Sequence, residues 1–244
     1  MAAGCGLKRY VITPFRVAER NNEHVRRRLL LAVSCPVLAL PRLLRAQPRP
    51  GSELIEAAGR GDLAHVRVLV ESGAPIETRD ARGRSVLLAA TDGNHVVTAR
   101  GLIARGADVN AKDDQQDSAY LLAGARGYIE ILRATLAAGA DLTSTNRYGG
   151  TALIPACHYG HVETVRLLLG TAIEVDHVNR LGWTALLEAV ILGDGGAPYQ
   201  EIVRLLLARG AKPRLADAQG VTPLQHALQR GQARVADLLR AAGG

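Results

Sequence analysis

The residues best suited to metal chemistry are one cysteine and two histidines near the middle of the chain. Cys157, His158 and His161 are residue types that bind zinc, and they lie within five consecutive positions. Cys157 falls at a small, inward position of a predicted helix, and His161 begins the next helix, where such a histidine normally forms local hydrogen bonds. We therefore expect neither a metal site nor a cofactor.

Catalytic motifs are not recognisable elsewhere in the sequence. There is no Gly-x-Ser-x-Gly motif and no paired-carboxylate pocket, and the serines fall at predicted turns or helix caps. The glycine-rich segment 193–199 could cradle a phosphate, but no strand precedes it and no Lys followed by Ser or Thr comes after it. We interpret this segment as a surface loop, and we expect that the protein is not an enzyme.

The helices or strands that position these side chains belong to a chain with the composition of a soluble, globular protein. Of 244 residues, 48% are hydrophobic, 22% are charged and only 3% are aromatic. The core must therefore consist of Leu, Val, Ile and Ala, and small aliphatic side chains suit closely packed helices. The length permits one or two domains or one long repeat array.

The net charge of +7 is confined to the first 47 residues, which hold nine basic and two acidic side chains. Residues 48–244 carry 21 charges of each sign. A neutral domain with dispersed charges releases few counterions when it binds a polyanion, so we expect no nucleic-acid partner.

The first 47 residues have the pattern of a secretory signal peptide. Three arginines at 26–28 precede an apolar run over 29–40, and Ala46 provides a small residue for cleavage near 46/47. The run would span about 18 Å as a helix, which is too short to cross a membrane. The arginines also resemble the twin-arginine export motif. We predict a periplasmic or secreted protein without stable membrane insertion after processing.

Other interpretations of this leader stay open. Translation could begin at Val25, because 27 Arg against 3 Lys fits a GC-rich bacterial gene in which such starts are common. Residues 29–44 could instead form a helix that packs on the domain as part of a cytosolic tail, although Pro36 and Pro41 interrupt it. An uncleaved anchor and a lipid-modified Cys35 are weaker alternatives.

From residue 52 onward the sequence repeats with a period of 33 residues. The turn-opening residues are Asp80, Asp113, Asn146, Asn179 and, after five extra residues, Asp217. A Gly-Ala dipeptide recurs at 73–74, 106–107, 139–140 and 210–211. The period and these recurring residues resemble the ankyrin repeat. The most specific matches are Asn146-x-x-Gly149-x-Thr151-Ala152-Leu153 and Asp217-x-x-Gly220-x-Thr222-Pro223-Leu224.

The resemblance implies an all-α solenoid of about six helix-turn-helix repeats with β-turn connections. The implied domain covers 52–244, with repeats at about 52–79, 80–112, 113–145, 146–178, 179–216 and 217–244. The predicted caps of first helices are Thr151, Thr184 and Thr222, and the predicted ends are Gly127, Gly160 and Gly231. A single helix pair cannot bury its apolar face, so neighbouring repeats must stack.

The resemblance also implies a concave face made of turn tips and first helices. The candidate partner-binding residues on it are Arg147, Tyr148, His158, Tyr159, Arg180, Leu181, Trp183, Ile191, Leu192 and Arg230. We predict that Tyr148, Tyr159 and Trp183 anchor a protein partner, because Tyr and Trp are frequent hot-spot residues. Leu181 and Ile191 would surround these anchors. Alternatively, Trp183 folds onto the neighbouring turn and the apolar residues only seal the repeats.

The predicted function is therefore non-enzymatic protein binding or scaffolding by a monomer, in the bacterial periplasm. The alternative is a cytosolic regulator, or an effector delivered to another cell, whose N-terminus is an uncleaved tail. The fold does not specify the partner.

Overall fold

The computed structural model describes residues 50–244, so the predictions for the leader lie outside the described residues. The described chain contains twelve α-helices in six consecutive pairs. They are α1 (Pro50–Gly59), α2 (Leu63–Glu71), α3 (Val86–Asp92), α4 (Val96–Ile103), α5 (Ala119–Arg126), α6 (Ile129–Ala137), α7 (Leu153–His158), α8 (Val162–Leu169), α9 (Ala185–Ile191), α10 (Ala197–Ala208), α11 (Pro223–Gln229) and α12 (Ala233–Ala241). Within this range no helix has the length and apolar character needed to cross a membrane.

Helices of the same kind pack against each other along the array. The first helices α1, α3, α5, α7, α9 and α11 form one row, and the second helices α2, α4, α6, α8, α10 and α12 form another. The core between them is mostly Ala, Leu, Ile and Val, as the composition predicts, together with the buried Tyr120. Each fully buried Leu, Ile or Val side chain stabilises by roughly 1.5–3 kcal/mol, so contacts between neighbouring repeats hold the array together. The predicted all-α class is confirmed.

An Asp or Asn opens each turn and closes it with its own side chain. In the fourth repeat, Asn146 Oδ1 accepts hydrogen bonds from Tyr148 N at 2.9 Å and from Gly150 N at 3.1 Å. The same two bonds are made in the other turns by Asp80, Asp113, Asn179 and Asp217. Because the side chain replaces a backbone acceptor in the turn, the residue type recurs with the repeat.

Hydroxyl caps begin four of the first helices, and the fourth repeat departs from this rule. The four caps are Ser85, Ser118, Thr184 and Thr222. The prediction for Thr151 is wrong, since its hydroxyl is buried without a hydrogen-bond partner. Pro155 has no N–H, so the Thr151 carbonyl accepts from Ile154 N at 3.2 Å instead. The Ile154 N–H is the group that would otherwise donate to the Thr151 hydroxyl in a cap.

The predicted glycine ends of the first helices are confirmed. Gly127, Gly160 and Gly231 follow α5, α7 and α11 with φ angles of 71°, 73° and 68°. Left-handed backbone is favourable for glycine, and here it turns the chain from the first helix of a pair into the second.

The five-residue insert of the fifth repeat is only partly the predicted loop. Its last residues form the first turn of α10, which is 12 residues long, whereas α8 has 8. The insert is also fastened on both sides. The Tyr199 hydroxyl donates to the His158 carbonyl at 2.9 Å, and Gln232 Nε2 donates to the carbonyls of Val190 and Gly193 at 3.0 and 2.9 Å. The insert therefore links the fifth repeat to both of its neighbours.

Candidate functional site

The turn tips of repeats four and five bring four predicted partner-binding residues together. Arg147 and Tyr148 lie on one tip, and Arg180 and Leu181 lie on the next. The Arg180 backbone N–H donates to Tyr148 O at 2.9 Å, and its Nη1 donates to Arg147 O at 2.8 Å. The Arg147 guanidinium lies over the Tyr148 ring, 4.9 Å from its centroid, and contacts Gln115 of the preceding tip. The two tips therefore form one continuous surface.

Four large side chains at the tips and first-helix ends of these two repeats are exposed, and together we call them the apolar patch. Its members are Tyr148, Tyr159, Leu181 and Leu192, which are 52%, 57%, 51% and 42% exposed. Tyr148 and Leu181 occupy equivalent tip positions, and Tyr159 and Leu192 occupy equivalent ends of α7 and α9. The same positions in other repeats hold Arg82, Gln115 and Gln219 at the tips and Gly93, Arg126 and Arg230 at the helix ends. The fold does not require apolar side chains at these positions.

His158 extends the aromatic surface beside Tyr159. The two rings are stacked, with centroids 4.2 Å apart and planes inclined by 9°. Burial lowers the pKa of His158, which favours the neutral ring at physiological pH. The hydrogen bond from Tyr199 to the His158 carbonyl holds this end of α7 in place.

The remaining predicted residues are placed differently from one another. Trp183 is partly buried, and its backbone N–H and carbonyl both bond to Asn179, so it closes the turn of the fifth repeat. Arg230 is exposed directly after α11. Ile191 is only 6% exposed, which corrects the prediction that it surrounds the anchors at the surface. It belongs to α9, all seven residues of which are buried.

Glu188, a buried acid of α9 next to this surface, was not predicted from the sequence. Asn179 Nδ2 donates to its Oε1 at 3.0 Å, and His158 Nδ1 lies 3.7 Å from its Oε2. Burial raises the pKa of Glu188 to about 7, against the lowering effect of the Asn179 bond. A signal was present, because Glu188 interrupts an otherwise apolar helix nine residues after the residue that opens the turn.

The sixth repeat has a second polar pair at the equivalent positions. His226 Nε2 lies 2.7 Å from Asp217 Oδ2, and Asp217 Oδ1 accepts from Gln219 N and Val221 N at 2.9 Å each. Burial by itself would raise the pKa of Asp217, but the hydrogen bonds from Val221 and His226 outweigh it and lower the pKa. This pair was not predicted from the sequence either.

The central cysteine and histidines do not converge on one point. Cys157 is buried in the core, where desolvation and, to a lesser extent, the charge of Glu188 raise the pKa of its thiol. His161 bonds to the main chain of Ala125 in the preceding repeat, so its partner is less local than predicted. Across residues 50–244, no three His, Cys, Asp or Glu side chains are grouped to hold a metal ion.

Known proteins resemble this chain in both fold and sequence. A family model of three ankyrin repeats matches residues 119–217, and a model of the single ankyrin repeat matches residues 82–114. An ankyrin repeat domain from Acinetobacter baumannii is 56% identical with a TM-score of 0.76, over 78% of this chain and 97% of that one. The ankyrin repeat domain of Bcl-3, a member of the IkappaB protein family, is 27% identical with a TM-score of 0.70, over 79% and 86% of the two chains.

A curated relative matches a shorter segment. The putative ankyrin repeat protein YahD of Escherichia coli K12 is 54% identical over 56 residues, which are 23% of this chain and 28% of YahD.

The stacked helix pairs with their row of turn tips define a helical repeat protein. The chain belongs to the ankyrin-repeat family. Ankyrin repeats are protein–protein interaction modules, and proteins of the family are typically non-enzymatic.

Proposed function

We propose that the protein binds another protein through the apolar patch on the concave face of repeats four and five. The observation that carries this proposal is the exposure of Tyr148, Tyr159, Leu181 and Leu192 at positions where other repeats have polar residues or glycine. The fold does not need apolar side chains there, and their exposure to water is unfavourable. A partner that covers them accounts for both facts.

The composition of the patch suits the centre of an interface. Tyrosine offers a large, rigid contact area at a small cost in side-chain entropy. The His158 ring, stacked on Tyr159, enlarges the aromatic surface, while Arg147 and Arg180 place hydrogen-bond donors at its rim. The partner therefore presents an apolar segment with hydrogen-bond acceptors beside it.

The test replaces patch residues by those that other repeats carry at the same positions. Tyr148→Gln and Leu181→Gln install the tip residue of repeats three and six, and Tyr159→Arg installs the helix end of repeat three. The triple variant should fold, because equivalent repeats tolerate these residues. Quantitative mass spectrometry after affinity purification of the tagged full chain should show that a partner held by the wild type is lost.

A matched control removes apolar surface elsewhere. Val68 and Val97 lie on the second helices α2 and α4 and are 63% and 66% exposed. Val68→Gln with Val97→Gln should retain the partner that the patch variant loses. If the patch variant and this control capture the same proteins as the wild type, the proposal is wrong.

We also propose that the chain is exported from a bacterial cell. Support comes from the arginines at 26–28, the apolar run at 29–40 and Ala46 in the sequence. Fractionation of cells that express a C-terminally tagged chain should give an exported product whose N-terminus lies near residue 47. A full-length product that stays in the cytosol would favour the alternative, a cytosolic regulator or a delivered effector with an uncleaved tail.

A further inference from the structure

The carboxyl group of Glu188 has one oxygen without a hydrogen-bond donor. Its Oε1 accepts from Asn179 Nδ2 at 3.0 Å, whereas Oε2 is 3.7 Å from His158 Nδ1, beyond hydrogen-bonding distance. The side chain is 7% exposed. The carboxyl group is therefore largely desolvated and keeps a small opening to the solvent.

The His158 ring lies beside this oxygen. Its Nδ1 is 3.7 Å from Oε2, and the ring stacks on the exposed ring of Tyr159. Asn179, the donor to Oε1, also bonds to the backbone of the partly exposed Trp183. A group that donates to Oε2 therefore lies next to the His158 ring, on which Tyr159 is stacked.

The described residues supply no permanent cation to Glu188. The guanidinium groups of Arg147 and Arg180 on the neighbouring tips bind Gln115 and the Arg147 carbonyl instead. Three segments run from a turn-opening residue to the end of a first helix in these repeats, namely 146–158, 179–191 and 217–229. The other acid in them is Asp217, and it is already paired with His226. Glu188 is thus the acid that remains for a partner on this part of the concave face.

We infer that Glu188 binds an arginine side chain of the protein partner, an inference that rests on the proposed function. A guanidinium can donate to Oε2 and at the same time stack on an aromatic ring. A desolvated carboxylate also gains more from a paired cation than an exposed carboxylate does. The ammonium group of lysine could supply the charge but not the planar stacking. The partner therefore carries an arginine within or beside the segment that covers the apolar patch.

The first experiment selects peptides from a random phage-displayed library on the full-length chain. The wild type, Glu188→Gln and the control Val97→Gln are used in parallel. Glutamine keeps the shape of Glu188 and can still accept from Asn179, so the variant should fold. We expect arginine to be enriched at one peptide position with the wild type and with Val97→Gln, but not with Glu188→Gln. Equal arginine enrichment with all three proteins would overturn the inference.

The second experiment replaces the arginine of a selected peptide by citrulline, its neutral isostere. The replacement should weaken binding to the wild type about tenfold and binding to Glu188→Gln less than about twofold. An equal loss of affinity for the two proteins would mean that the arginine is recognised by another group.

A third experiment separates this inference from the proposed function. If Tyr159→Arg leaves the affinity of the selected peptides unchanged, the apolar patch is not the binding site and the proposed function fails. N-acetyl-arginine methylamide then tests Glu188 directly, in a titration that follows the carboxyl carbon by ¹³C NMR. A shift of the Glu188 signal with this compound, but not with its citrulline analogue, supports the inference. The absence of a shift overturns it.

Discussion

Repeats five and six each have a polar pair at the same two positions, but the acid and its hydrogen-bonding partner exchange places. In repeat five, the turn-opening Asn179 donates to Glu188, nine residues later on α9, at 3.0 Å. In repeat six, the turn-opening Asp217 pairs with His226, nine residues later on α11, at 2.7 Å. The acid therefore lies on the helix in one repeat and on the turn in the other.

The position of the acid decides its protonation. On the turn, Asp217 receives hydrogen bonds from two backbone N–H groups and from His226, which outweigh its burial and lower its pKa. On the helix, Glu188 receives one bond, so burial dominates and raises its pKa to about 7. The number of donors that face a buried carboxyl group thus determines whether that group is charged at neutral pH.

Glu188→Gln should have the largest effect on this comparison. The folded state keeps a proton on Glu188 up to about pH 7, whereas the unfolded chain loses it near the ordinary pKa of 4.5. The free energy of unfolding of the wild type therefore falls as the pH rises through this window, by about 3 kcal/mol in total. Urea titrations should show that the variant is more stable than the wild type by this amount at about pH 8.5, and equally stable at about pH 4.

The control for this measurement is Glu163→Gln on α8, whose side chain is 74% exposed. It should leave the pH dependence of stability unchanged. A wild type whose stability does not fall between pH 4.5 and 7 would contradict the raised pKa of Glu188.

Exchange of the repeat-six residues into repeat five should have a smaller effect. Asn179→Asp removes the donor to Glu188 and places a second acid beside it, so it should cost about 2 kcal/mol at about pH 8.5. Adding Glu188→His reproduces the pair of repeat six and should restore most of this loss. Chemical denaturation of both single variants and the double variant gives the coupling energy. Strictly additive effects would show that the two positions do not interact.

The smallest effect concerns the same helix position in repeat four, where Pro155 stands in place of Glu188 or His226. Thr151→Val should stabilise the fold by up to about 1 kcal/mol, because it removes a buried hydroxyl group without a partner. Thr184→Val should destabilise it by about 1 kcal/mol, because that hydroxyl caps α9. Thermal unfolding would detect both changes, and shifts of the same sign in the two variants would contradict the assigned caps.

The register of the repeats could be predicted because local chemistry fixes it. Asp or Asn must open each turn to supply the side-chain acceptor, and glycines such as Gly160 must follow the first helices to adopt positive φ. These requirements depend on neighbouring residues alone. The turns, the helix pairs and the exposed tip residues Tyr148 and Leu181 therefore followed from the sequence.

Other features depend on contacts that the register does not encode. The cap at Thr151 is lost because of a proline four residues later, and Ile191 is buried because α9 packs against α7, α10 and α11 and is buried along its whole length. The state of Glu188 depends on how many donors reach it from another element. A charged residue in an apolar helix gave a hint, but only the packing of the turn against α9 shows its partner.

The five-residue insert limits the modularity of the array. Gln232 occupies the start of a second helix where His95 and His161 stand in other repeats, and its amide is committed to the carbonyls of Val190 and Gly193. Excision of the insert would remove the Gly193 carbonyl and leave the Val190 carbonyl on α9 as the acceptor for that buried amide, and it would disturb the Tyr199 tether to repeat four. The insert therefore links repeats four, five and six by hydrogen bonds. To transfer the binding face to another repeat protein, all three repeats must be transferred together.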